Sequence, residues 1–128
     1  MIRLINQDQV RLKLEQMEHL YLVEASAVEN YDRAHLPKAI LCPVHLPVFP
    51  DKNAIARWAS AALPHLGAEL IVYGANASDS LPRKLCELLD QLGYENVYFY
   101  QDGKEDWISA GLPRFATHRP PYPNESAA

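Results

Sequence analysis

The stretch LIVYGANASDSLPRKLCELLDQLGYENVYFY, residues 70–100, holds one complete strand–helix–strand pattern. Leu70 to Tyr73 is a compact apolar run suited to a central, buried strand. The small-residue loop Gly74, Ala75, Asn76, Ala77, Ser78, Asp79 and Ser80 follows, and Pro82 then sits well in the first turn of a helix. Leu85, Leu88, Leu89 and Leu92 share one helical face, and Gly93 supplies a C-terminal stop. Val97 to Tyr100 reads as the next strand. A strand, a helix and a strand in this order predict a crossover between parallel neighbours.

The same alternation extends on both sides. Upstream, Ile2 to Ile5 is a short apolar stretch, and Asn6 or Asp8 offers a cap for a helix running toward Met17. Val10, Leu12 and Leu14 in that segment also alternate like a strand, so periodicity leaves both readings open. Leu20 to Val23 suits a buried strand. Ser26 is the expected N-cap of a short helix, AVENYDRAH, stopped by Pro37. Ala39 to Cys42 is a further strand, cut off by Pro43, and a Pro-rich loop runs on to Pro50. Asp51 caps a helix whose Ile55, Trp58, Ala59, Ala62 and Leu63 form one stripe. Downstream, Lys104 to Ala110 is a last short helix before Gly111. The fold class is therefore α/β, with a central, mostly parallel five-stranded sheet flanked by helices on both faces.

Composition bounds the function. A chain of 128 residues with 48% hydrophobic and 22% charged residues is expected to form one domain. Residues 1–115 carry the periodic elements, and residues 116–128 read as a Pro-rich C-terminal tail. The net charge is −4 with no basic block, which disfavours nucleic acid as a partner. No apolar run approaches the ~18–20 residues of a membrane span, and no signal-peptide pattern opens the chain. The expected location is cytoplasmic, without membrane attachment. Cys42 and Cys86 lie far apart, belong to no CxxC, and are expected to be free thiols.

Three segments, in order, resemble the rhodanese-like domain family. LVEASAVENYDRAHLPKAILCP (22–43) is similar to the family's strand, acidic residue, helix and Gly-His-Ile-Pro-Gly-Ala turn, with His35, Leu36, Pro37, Ala39 and Ile40 at the matching places. Residues 70–100 resemble its strand, active loop and following helix. DGKEDWISAGLPRF (102–115) is similar to its closing Gly-Gly-x-x-x-Trp-x-x-Ala-Gly-x-Pro signature, with Gly103, Trp107, Ala110, Gly111, Leu112 and Pro113 in register. The resemblance implies a rhodanese-like fold and, in the family's sulfurtransferases, a cysteine directly after the strand matching LIVY. Its thiolate accepts sulfur as a persulfide, and an arginine in the loop holds the anionic donor.

The departures from that pattern carry the functional reading. The cysteine's place is taken by Gly74, no loop residue is a thiol or a cation, and Asp79 adds a negative charge. Matched from Pro82, the loop is about two residues longer than the sulfurtransferase form. Glu24 replaces the family's Asp, and Ser26 its frequent Arg. A nucleophilic thiolate needs both a side chain and electropositive surroundings, and this loop offers neither. The leading expectation is a catalytically inactive domain that binds or regulates an unknown protein partner, with no cofactor and no metal. The alternative is a sulfurtransferase that uses a displaced thiol, Cys86. A third reading is a hydrolase or anion site built on Ser78, Ser80 and the loop, although no histidine lies near them in sequence. Cys86 and Cys42 each read as core residues, and Cys42 with His45 makes only half of a zinc site. Asp79 or Ser80 is expected to satisfy the free N–H groups at the start of the Pro82 helix, leaving the pocket self-filled.

Overall fold

A computed structural model describes residues 1–17, 19–44 and 50–118. The Pro-rich stretch from His45 to Phe49 and the tail from residue 119 onward lie outside the described residues, and so does His45 of the Cys42–His45 half-site. Five strands, β1 (Ile2–Leu4), β2 (Leu20–Ser26), β3 (Ile40–Pro43), β4 (Glu69–Tyr73) and β5 (Asn96–Tyr100), form one sheet in the order β1-β5-β4-β2-β3. Every pairing is parallel, so the sheet is wholly rather than mostly so. The helices are α1 (Gln7–Gln16), α2 (Val28–Arg33), α3 (Lys52–Ala62), α4 (Leu81–Gln91) and α5 (Gly103–Ser109).

Alternation along the strands divides the core into two layers. Val23, Ala25, Leu70, Val72, Val97 and Phe99 meet α3 and α4 on one face. Leu22, Ile71, Tyr73 and Tyr100 face Val10 of α1 and Trp107 of α5 on the other. The ambiguous segment after Asn6 is helical because Asn6 and Gln9 form a reciprocal capping box, which periodicity alone does not reveal. Asp51 caps α3 as expected, accepting from the Ala54 N–H at 2.8 Å.

Three boundaries differ from the sequence reading. Ser26 does not cap α2: it is the last residue of β2, and its hydroxyl donates to Glu24 instead. Ala27 takes the cap position without a side-chain bond, and α2 ends at Arg33, ahead of Pro37. Pro43 closes β3 from inside the strand, which an edge strand tolerates because one side of its backbone is unpaired.

Candidate active-site loop

The chain leaves β2 toward β3 and leaves β4 toward β5, on opposite sides of this central pair. The C-terminal ends of β2 and β4 therefore frame the crevice where open α/β sheets place ligands. Glu24 and Ser26 end one strand, while Tyr73 and then Gly74 end the other.

The loop after β4 is closed by its own carboxylate. Asp79 Oδ2 accepts from the Ala75 N–H at 2.9 Å, and Oδ1 accepts from the Leu81 N–H at 3.0 Å. Asn76 Oδ1 accepts from Ser78 N–H at 2.9 Å. At the helix start the donor expected to be taken by Asp79 or Ser80 is taken by Asp79, while the Ser80 side chain makes no cap and the bond to Ala75 N–H is an addition. Such carboxylate bonds to backbone N–H groups are charge-assisted, and a cap of this kind is worth about 1 kcal/mol. Space follows the same logic. A Cβ on Gly74 would lie 2.5 Å from Asp79 Oδ2 and 2.8 Å from Pro82 Cγ.

Behind the loop lies a buried polar network that the sequence reading did not anticipate. Glu24 is fully buried. Its Oε1 accepts from Tyr73 Oη–H at 2.7 Å, and its Oε2 accepts from Ser26 Oγ–H at 2.5 Å and from Lys104 Nζ at 2.8 Å. Lys104 also donates to the carbonyls of Asn30 and Ala34, tying α5 to α2. Burial, then the Glu24 charge, raise the Tyr73 phenol above its ordinary value, so it remains a donor. The sequence signals one half of the Glu24–Lys104 pair: a carboxylate inside the apolar run LYLVEAS needs a compensating partner once buried, but nothing in the sequence names Lys104 as that partner.

The remaining candidates sit elsewhere. Cys86 and Cys42 are buried in the α3/α4 core layer, and burial pushes both thiols up to about 12. Both should therefore react with Ellman's reagent at least about 100-fold more slowly in the native protein than after unfolding in guanidinium, as expected for inert buried thiols. A native rate for either one equal to that of a free thiol would contradict this. His35 serves the turn: its Nδ1 lies 3.0 Å from the Tyr31 carbonyl, its ring stacks on Tyr31 at 4.1 Å, and its backbone bridges Phe115. Among the described residues no histidine lines the cavities around the loop. Nor do three His, Cys, Asp or Glu side chains there cluster in a way that would hold a metal. No described helix is long and apolar enough to cross a membrane.

Comparison with known proteins places this architecture. Residues 6–110 match the family model of the rhodanese-like domain. No curated protein matches the chain significantly by sequence. Among solved structures the chain is similar to the Alr3790 protein from Anabaena sp., at 20% identity over 88% of this chain and 80% of that one, with a TM-score of 0.72. It is similar also to the BH2092 protein from Bacillus halodurans, at 16% identity over 98% and 88% of the two chains, TM-score 0.72. A thiosulfate sulfurtransferase from Pseudomonas aeruginosa matches at 17% identity and TM-score 0.67, over 91% of this chain but 21% of that enzyme. At these identities the structural likeness speaks to the fold, and the family assignment rests on the match across most of the sequence. This chain belongs to the rhodanese-like domain family.

Proposed function

We propose that this rhodanese-like domain is non-catalytic and serves as a binding or regulatory module for a protein partner. The observation that carries this reading is the Asp79 carboxylate, seated across the mouth of the loop with the Ala75 and Leu81 N–H groups as its donors. It stands within 2.5 Å of the point where any side chain on residue 74 would begin. A loop built to receive an anionic sulfur donor offers unoccupied N–H groups and a cation. This one holds its own anion, and of the two cations on the adjoining cavity wall Lys104 is bonded to Glu24, leaving Arg33 as the one without an ion pair among the described residues.

The purified protein should transfer no sulfur from thiosulfate or mercaptopyruvate to cyanide above a protein-free blank. Turnover that disappears in a Cys86→Ser variant would overturn the reading in favour of a displaced thiol. Saturable amide shifts confined to residues 78–83 at low-millimolar sulfate would overturn the self-filled loop and restore an anion site.

A further inference from the structure

The geometry points to a docking groove for a positively charged, extended protein segment, running across the C-terminal end of the sheet. This deepens the proposed binding role and rests on it. Three cavities adjoin there. The innermost, about 200 Å³, has an apolar floor of Ala27, Val44 and Leu81 beneath Asp79. The next, about 320 Å³, shares Asn30, Ala75 and Lys104 with it and adds Ala34 and Ile108. The outermost, about 470 Å³, shares Asn76 and Glu105 with the second and opens between the loop and α5. Three shallow cavities in a row suit successive side chains of an extended segment better than one compact ligand.

Charge selects the occupant. Asp79, Asp102, Glu105 and Asp106 line the groove, and among the described residues none of them makes an ion pair. Asp106 is held in place by Tyr100 Oη–H at 2.6 Å and Gln7 Nε2 at 3.0 Å, both neutral donors that leave its charge uncompensated. The lysine on the groove wall is already used. The Lys104 ammonium has three N–H bonds, and Glu24, Asn30 and Ala34 accept them. Arg33, on the wall of the middle cavity, is the opposing charge, so four carboxylates stand against one guanidinium. An anionic segment, a nucleic acid or an acidic lipid surface meets net repulsion here. A segment bearing Lys or Arg beside small apolar residues meets complementary charge and an apolar floor.

The test uses the full chain and a fluorescein-labelled nonapeptide of Ala, Leu and Arg, with a twin carrying Glu in place of each Arg. Fluorescence anisotropy should show saturable binding of the basic peptide and at least tenfold weaker binding of the twin. Asp102→Asn with Glu105→Gln should weaken the basic peptide about fivefold, the effect of two exposed charge pairs. Glu87→Gln with Glu95→Gln, which alters exposed carboxylates outside the groove, should leave it unchanged. Equal binding of the two peptides, no effect of the groove variant, or an equal effect of the control variant would each overturn the groove. Sulfur transfer in the assay above would remove the non-catalytic reading, whereas a blank assay with no peptide binding would remove the groove alone.

Discussion

Replacing Lys104 by Met should destabilise the fold by about 3–5 kcal/mol, the usual cost of leaving a buried charge without its partner. Glu24 has no exposed surface, and the Lys104 side chain is 12% exposed, so water cannot take the missing cation's place. Tyr73 and Ser26 would still donate to the carboxylate, but two neutral donors do not balance a full charge in a low-dielectric site. The carbonyls of Asn30 and Ala34 would lose a donor at the same time, loosening the end of α2. The expected loss is a large share of the ~5–15 kcal/mol that holds a domain of this size together. Urea unfolding followed by tryptophan fluorescence measures it. The Glu24→Gln/Lys104→Met double variant separates charge from packing. With both charges gone, it should recover more than half of the single-variant loss. A single-variant loss below about 1 kcal/mol, or strict additivity in the double variant, would show that the pair is not the electrostatic centre described here.

This pair also marks where sequence reading stops. Strands β2, β4 and β5 and helices α3 and α4 were legible because each is decided locally, by a compact apolar run, a stripe at helical spacing, or a cap. The Asp79 bond to Leu81 N–H was legible for the same reason, because it lies at the helix start, whereas its bond back to Ala75 N–H was not read. Lys104 and Glu24 are 80 residues apart, and no local pattern joins them. The misplaced cap on α2 has the same origin. A serine ahead of a helix is a good cap by local rules, but a buried carboxylate two residues upstream competes for its hydroxyl and wins. The approach of α5 to the loop was hidden as well, because it depends on a glycine whose conformation only the folded chain requires.

That glycine carries the second large effect: Gly103→Ala should cost about 2–4 kcal/mol, combining left-handed backbone strain with overpacking against main chain. Gly103 has φ of +72°, and a Cβ there would lie 2.7 Å from the Gly74 carbonyl oxygen and 3.0 Å from the Asn76 nitrogen. Those are backbone atoms, so no rotamer change relieves the contact. The same carbonyls anchor the helix: Gly74 O accepts from the Lys104 N–H at 2.9 Å, and Ala75 O accepts from the Glu105 N–H at 2.9 Å. Pushing them apart should shift the amide resonances of Ala75, Asn76 and Lys104 together. Gly111→Ala is the internal control, because Gly111 has nearly the same φ of +75° but nothing within 4 Å of its would-be Cβ. It should therefore lose only the conformational term, roughly 1 kcal/mol. The difference between the two variants in urea unfolding measures how tightly α5 is held against the loop. Equal losses at Gly103 and Gly111 would mean that the loop yields without cost. A groove wall that gives way so easily could not hold its carboxylates in a fixed array for a partner.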